Sequence, residues 1–536
     1  MQTPSPTTST FPPPSGRQTA WLIAMACLVW ACSSWISGGN LDSYNDMLEN
    51  YAWSQPFLWG THKHPPFFAW VVGTWFTVFP NTDWAYRLLS YTNVAVGLWG
   101  VVSLGRRLGL GGLAHWGALL LLWSFPYTSL AGKFNANSQL LSLWPWAAAL
   151  LLASWQEKGW RGVWFSTWLG IVAAACMLSK YYSGVFLAGF LLPIFLHRDG
   201  RQWLLTPRPY LALLVFALAL SPHVAWMAGH EWAPIGYAMD QGGGDVVWRY
   251  VLRFTLSPLF YWLPAWLAVC AVYACLSARM QQQSCLRTFG SYLWRSWMPH
   301  GWDDVLYWLA LTPWLLTLLC GMFGVAELST PWAIPIGYAF ALLWLRNLHT
   351  LAPSVTAQVL TKLRRAWWPV VALVAVLGLV VAIVNAQKSD KGYYRPTEDA
   401  AQQILKQWQE RNPQQQLAWV GGDWAENAMI AFYAMPGLQT VPYMPDSFPA
   451  QLAGLGDWRS KNGLLLCPLG PVANNPDIPD TACMQEATQW LAAQGLTAAP
   501  QVLTVERSGW RFPKPVPFRY AVFDVPAAST ASKEVQ

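Results

Sequence analysis

A chain of 536 residues would ordinarily divide into three or four domains, but 54% of this one is apolar and only 11% is charged, with 38 Trp; a soluble domain carries about 25% charged residues. So few charges cannot cover a water-soluble surface of this size, and the same figures exclude a disordered chain, a collagen and a disulfide-dense secreted scaffold, so the sequence is that of an integral membrane protein. The net charge of +7 is too small and too scattered for a nucleic-acid footprint, and no nucleic-acid partner is expected.

Residues 1–19 (MQTPSPTTSTFPPPSGRQT) are rich in Pro, Thr and Ser and predict a disordered tail. Apolar stretches of about bilayer-crossing length then recur at 20–38, 86–105, 113–131, 138–155, 162–180, 183–197, 210–228, 252–276, 305–323, 331–346 and 367–386, about eleven spans. Phe67–Phe79 is shorter, lies between Pro66 and Pro80, and suits a helix at the membrane interface. With a cytoplasmic N-terminus, fifteen Lys/Arg from Arg17 to Arg365 fall on the inner side and six (Lys63, Arg87, Lys133, Lys180, Arg249, Arg253) on the outer side. Basic loops stay inside, so this orientation is the expected one, in a bacterial inner membrane, and an odd number of spans puts the C-terminal part in the periplasm. Acidic residues divide the other way: Asp42, Asp46, Glu49, Asp83, Glu231, Asp240, Asp245 and Glu327 are outer, while Glu157, Asp199, Asp303 and Asp304 are inner. The span interiors hold almost none, which places the chemistry at the outer membrane–water boundary.

From 387 to 526 charge rises and strand-like runs alternate with helical ones. Leu417–Gly421, Thr440–Tyr443, Leu464–Cys467, Val502–Glu506 and Tyr520–Val525 read as strands, and Glu426–Met435 and Ala482–Gln494 as helices, a small α/β domain. Residues 527–536 read as a flexible end. Of nine Cys only Cys467 and Cys483 fall in this outer domain, where an oxidising compartment lets them pair; two unbonded thiols are the alternative.

The first outer loop, 39–85, is the richest segment: GGNLDSYNDMLENYAWSQPFLWGTHKHPPFFAW. Asp42, Asp46 and Glu49 are spaced i, i+4, i+7 and share one face of a helix, with Tyr44, Leu48, Tyr51 and Trp53 able to face lipid. An amphipathic interfacial helix with a solvated acidic face is the alternative. His62, Lys63 and His64 follow, ahead of Pro65-Pro66; three such groups opposite three carboxylates suit an anionic headgroup or proton transfer. Two His and two Asp can also hold a divalent metal, for which Asp42 and His64 are the candidates; no other cofactor is expected.

LDSYNDMLENYAW…GTHKHPPFFAWVVGTWFTVFP resembles the first outer loop of polyprenyl-phosphate-sugar-dependent glycosyltransferases of the GT-C fold, in the bacterial branch related to protein mannosyltransferases and the lipid A aminoarabinose transferase. Tyr86-Arg87-Leu88, Lys133-Phe134-Asn135-Ala136-Asn137-Ser138, Leu178-Ser179-Lys180-Tyr181 and Thr330-Pro331-Trp332-Ala333-Ile334-Pro335 match in order, over about residues 20–350. The resemblance implies an all-α polytopic GT-C membrane domain over 20–386. It also implies transfer of a monosaccharide from a polyprenyl phosphate to an acceptor at the outer face, usually with inversion, the acceptor being an envelope glycolipid such as lipid A or lipopolysaccharide, another glycan, or a protein. An Asp of the first outer loop is the base in that family, and Asp42 stands at the matching position, with Asp46 or Glu49 as second choice. Two departures stand out: Asn135 and Asn137 occupy the loop where some relatives have Asp, and His64 replaces the Lys that precedes the Pro pair in the aminoarabinose transferases.

Displacing a lipid phosphate leaves negative charge on the leaving group, which cations must offset. His64, Lys180 and Arg249 are the candidates, then Lys63; His62, Tyr181 and Asn137 are candidates for contacting substrate. A snorkelling lysine is the alternative for Lys180, and a plain interfacial anchor for Arg249. Two other classes stay open: a transporter or flippase of a lipid-linked glycan, and a catalytically silent scaffold that uses only the outer domain.

Overall fold

The computed structural model describes residues 14–55, 57–240, 246–388, 391–448, 455–474 and 477–528. Asp245, residues 1–13 of the expected N-terminal tail and 529–536 of the expected flexible end lie outside them. Two expectations are corrected at these ends. Gly16–Thr19 already belong to the first helix, because Ser15 and Gln18 form a reciprocal capping box that satisfies its free amides. Ala527 and Ala528 are tied to Asn462 and Arg459 through their backbone amides.

The membrane part runs α1 (Gly16–Ser37), α2 (Asp46–Ser54), α3 (Phe67–Phe76), α4 (Asp83–Arg107), α5 (Gly112–Leu121), α6 (Ala136–Gln156), α7 (Gly159–Ser179), α8 (Ser183–Gly189), α9 (Leu191–Leu196), α10 (Arg198–Leu204), α11 (Pro207–Ala228), α12 (Ala233–Asp240), α13 (Trp248–Gln281), α14 (Cys285–Arg295), α15 (Val305–Met322), α16 (Phe340–Leu351) and α17 (Thr356–Gln387). Seven of these, α1, α4, α7, α11, α13, α15 and α17, are long and apolar enough to cross a membrane, so the chain is a multi-pass membrane protein. The stretches read at 113–131, 183–197 and 331–346 form shorter pieces. Proline accounts for one of the breaks: α8 stops at Gly189, four residues before Pro193, whose ring would meet that carbonyl. The stretch at 331–346 begins with 3-10 turns that carry Pro331 and Pro335, before α16 starts at Phe340.

α4 lies centrally, packed against α1, α5 and α6; α6 continues onto α7, and α7 onto α11. Glycine permits the closest of these approaches. A Cβ on Gly97 would stand 2.1 Å from the Leu141 carbonyl oxygen, so α4 and α6 touch backbone to backbone there.

The C-terminal part adds α18 (Lys391–Tyr394), α19 (Thr397–Arg411), β1 (Leu417–Gly422), α20 (Trp424–Met429), β2 (Gln439–Thr440), β3 (Asn462–Pro471), α21 (Ala482–Ala493), β4 (Gln501–Val505) and β5 (Phe518–Val525). The five strands form one sheet in the order β2-β1-β3-β5-β4; β1 is parallel to β2 and β3, whereas β5 is antiparallel to β3 and β4. Cys467 on β3 is bonded to Cys483 on α21. A second bond, which the sequence did not suggest, joins Cys275 of α13 to Cys285 of α14.

One face of the sheet has a core of its own, with Trp419, Leu465, Ala521 and Phe523 packed together with Trp458 and Leu491; the other face is shared with the first loop. One apolar cluster takes Leu41, Met47, Leu48, Tyr51 and Trp53 of the first loop together with Ile404, Trp408, Val420, Phe432 and Leu464. α2 is therefore buried from Met47 to Ser54, which overturns the interfacial reading: Leu48, Tyr51 and Trp53 face protein, and only Tyr44 is exposed. Apolar area shared in this way is lost if the two parts are separated. A fragment of residues 388–528 made by itself keeps that inner core but exposes the shared face, and is expected to melt at a lower temperature than the same domain in the intact protein, checked by near-UV circular dichroism in detergent.

Candidate functional site

The site lies where two loops meet one turn into α4. Arg87 is buried there, and its guanidinium donates to the carbonyls of Gly132, Asn40 and Leu41. A buried guanidinium must find acceptors, and these belong to the residues just before Lys133 and Asp42.

Asp42 was expected on the same helical face as Asp46 and Glu49. Instead it precedes the helix. Asn45 turns left-handed (φ 57°), a conformation Asn tolerates, and α2 starts at Asp46. The Asp42 carboxylate accepts the backbone N–H of Tyr44 (2.9 Å), Asp46 (3.1 Å) and Met47 (2.9 Å), so it caps the first turn of α2. Lys133 Nζ stands 2.6 Å from Asp46 Oδ2 and 3.5 Å from Asp42 Oδ1. The Asp42 side chain is only 5% exposed and that of Asp46 35%. Asp46 therefore offers the accessible oxygen of the pair.

The rest of the second loop completes this side. Asn135 caps α6, taking the amides of Asn137 and Ser138, and its own amide points to Asp46 (3.4 Å). Asn137 accepts from Lys180 Nζ at 2.7 Å, and Lys180 also stands 5.4 Å over the Trp332 ring. Lys180 has no carboxylate partner among the described residues. Its ammonium is held by a neutral amide and an indole, and burial pushes it down to about 8 against the opposing field of Asp46.

Glu49 turns under the sheet domain, where Lys63 Nζ (2.9 Å) and the indole of Trp424 donate to it. Burial works against the Lys63 charge, but Glu49 more than offsets it and raises the ammonium above its ordinary value. Around this pair stands an aromatic group: His62 is stacked on Phe448 (4.1 Å) and meets Trp53 and Trp424 edge-on, while His64 touches Trp53, Phe68 and Tyr237. Trp53 Nε1 and His62 Nδ1 are buried without partners among the described residues. Burial, then Lys63, pushes His62 down to about 4. His64 lies well below its usual value through burial and the charges of Lys180, Lys63 and His62. The reading of His64 as a resident cation is thus corrected: it is neutral, within a field set by two lysines.

Two sequence candidates fall outside this group. Arg249 is exposed and bonded to its neighbour Tyr250 (3.0 Å). The Tyr181 hydroxyl meets His223 Nε2 (2.8 Å) and Met227, while His223 Nδ1 bonds the Trp59 carbonyl (2.5 Å). Tyr181 therefore braces the loop that carries His62–His64 against the Lys180 segment, and His223 is the bridge. Asp42 and His64 do not form a metal site: Asp42 is engaged by backbone amides and Lys133, and among the described residues no group of three or more His, Cys, Asp or Glu side chains is placed to hold an ion. Arg87, Lys133, Asn135, His223 and Trp424 were not picked out as site residues; the first three lie in segments whose motif resemblance was their only signal.

Known proteins match this arrangement in two ways. The sequence profile of the family described as Dolichyl-phosphate-mannose-protein mannosyltransferase matches residues 63–226. The fold is the GT-C fold of ArnT from Cupriavidus metallidurans. The crystal structure of that protein bound to undecaprenyl phosphate superposes with a TM-score of 0.54 at 14% identity, over 96% of this chain and 99% of that one. Its apo crystal structure gives 0.55 at 14% identity, over 95% and 97%. No curated protein matches in sequence.

A neutral, buried histidine stabilises the fold only while the solvent does not protonate it in the unfolded chain. The unfolded value is about 6.5 and His62 sits near 4, so its contribution is full above about pH 6.5 and is lost as pH falls toward 4. The melting temperature in detergent is expected to drop across that window. His62→Phe should remove part of the drop and the double variant with His64→Phe more of it.

Proposed function

We propose that the chain is an integral membrane glycosyltransferase that moves a monosaccharide from a polyprenyl phosphate, such as undecaprenyl phosphate, to an envelope acceptor. The acceptor class is lipid A, lipopolysaccharide, another surface glycan or a protein. The reaction runs at the periplasmic face of a bacterial inner membrane, which the chain crosses about eleven times with its N-terminus in the cytoplasm and its α/β domain in the periplasm. The observation that carries the reading is the charge pattern at the mouth of α4 and α6. Glu49 is paired with Lys63 and the two aspartates share Lys133, while Lys180 stands half-buried on a neutral amide, in the field of Asp46 but with no carboxylate bonded to it among the described residues. A lipid phosphate gives Lys180 a direct anionic partner.

In this mechanism the acceptor hydroxyl attacks the anomeric carbon from the face opposite the phosphate. The C–O bond to phosphate breaks, the phosphate stays on the prenyl lipid beside Lys180, and the acceptor proton passes to a carboxylate. Among the acids, Asp46 takes that proton, because its side chain, though held by Lys133 at Oδ2, is 35% exposed against 5% for Asp42, which is engaged by three amides. Asp42, which the family pattern would make the base, is a positioning residue that sets the start of α2. Inversion at the anomeric carbon follows from the single displacement.

Three variants test this. Asp46→Asn is expected to lower transfer by about 10²-fold or more with an unchanged melting temperature. Lys180→Gln is expected to lower it about 50-fold through loss of a charge-assisted bond. Asp42→Asn is expected to cost about 1 kcal/mol of stability as well. The measurement is mass spectrometry of envelope glycolipids and glycoproteins from cells that carry each variant, with the gene deletion as reference. The mass of one monosaccharide should be missing from one class; full transfer by both Asp46→Asn and Lys180→Gln would sink the reading.

A further inference from the structure

At the opposite membrane end of the same two helices lies a cleft that the transfer reaction does not use. α4 and α6 run side by side from the site. They are closest at Gly97, against Leu141, and Gly100, where a Cβ would meet Pro145 and Trp146 at 3.0 Å. One turn further along α4 the glycines give way to Val102, Ser103, Arg106 and Arg107. With Trp99 these are spaced i, i+3, i+4, i+7, i+8 and share one helix face. A cavity of about 570 Å³ opens between that face and Trp146, Gln156 and Glu157 of α6 and the residue after it, with Gln156 bonded to the Arg107 carbonyl (3.0 Å).

The walls change character along the cleft. Its deep end is aromatic. Trp146 donates its indole N–H to the Val96 carbonyl (2.9 Å), and Val96 is 47% exposed on the apolar flank, so the cleft is continuous with the bilayer side of the bundle. Its outer end carries two guanidinium groups with unequal partners. Arg107 is paired with Glu157 (2.6 Å). Arg106 is exposed and bonded only to the neutral ring of His115, at Nε2 (3.1 Å), whose Nδ1 in turn bonds the Thr19 hydroxyl (2.8 Å). Arg106 has no carboxylate partner among the described residues.

We infer that this cleft is a binding site for an anionic glycerophospholipid of the leaflet opposite the candidate active site, with its phosphate on Arg106 and an acyl chain along Trp99 and Trp146. The volume falls within the range of small-molecule sites, the charge complements a phosphate, and the two indoles lie further along the helices, on the apolar side where an acyl chain runs. A free phosphate would leave the aromatic end unfilled. A zwitterionic lipid would bring its own cation beside Arg106 and Arg107.

The test uses the full chain, delipidated in detergent and titrated with phosphatidylglycerol or phosphatidylcholine, with bound lipid counted by native mass spectrometry. Phosphatidylglycerol is expected to bind at least ten-fold more tightly than phosphatidylcholine. Arg106→Gln, a change at an exposed position, should reduce that preference by about ten-fold, and Ser103→Leu, which narrows the cleft, should weaken binding of both lipids. Each variant is compared at equal melting temperature. Equal binding of the two lipids overturns the inference. So does an unchanged preference in Arg106→Gln, or full displacement of phosphatidylglycerol by millimolar inorganic phosphate, which would make the site one for a simple anion.

Discussion

A single buried guanidinium sets the geometry on which the site depends. Arg87 has to satisfy its N–H groups in a place that water does not reach, and it does so with the carbonyls of Asn40, Leu41 and Gly132. Those acceptors come from two loops that are about ninety residues apart in sequence. Fixing Leu41 fixes Asp42, and fixing Gly132 fixes Lys133, so the acid and the base arrive at one point through backbone constraint. Their own attraction is secondary, since a partly exposed ion pair contributes little by itself.

Around that point the charges are sorted by depth. Carboxylates near the sheet domain are matched one to one: Glu49 with Lys63, and Glu426 with Arg395, which also reaches Asn45. Lys180 is the exception, and the aromatic neighbourhood of His62 and His64 keeps both imidazoles neutral beside it. Lys180 thus has no anion bonded to it among the described residues, and aromatic rings surround the neighbouring His62–His64 segment.

Much of this was legible from the residues alone. Long apolar runs give a polytopic protein, and four of the five expected strands of the α/β part coincide with β1, β3, β4 and β5, while Thr440–Tyr443 shares only Thr440 with β2. Lys180 and Asn137, chosen separately, turn out to be bonded to each other. The places where the reading failed share one cause. Helical spacing put Asp42 on a face with Asp46 and Glu49, but a single left-handed residue, Asn45, starts the helix late, and a carboxylate just upstream becomes its cap. Likewise Leu48, Tyr51 and Trp53 have the pattern of a lipid-facing stripe, and only tertiary contact with residues beyond 390 shows them to be interior. Periodicity tells that a face is apolar; it does not tell what covers it. Arg249, read as a phosphate ligand from its charge and loop position, lies exposed beside Tyr250 for the same reason.

The bond from Trp424 to Glu49 spans 375 positions of the chain. Ribosomal synthesis delivers the first loop long before its partner, so Glu49 and Lys63 must wait, unroofed, while the intervening helices are inserted one after another. A nascent chain halted anywhere before the sheet is complete has the helices but an open, hydrated vestibule. Quality control in the cell therefore has a simple signature to act on, because an unfinished copy shows the apolar side of α2 to the outside and a finished one hides it.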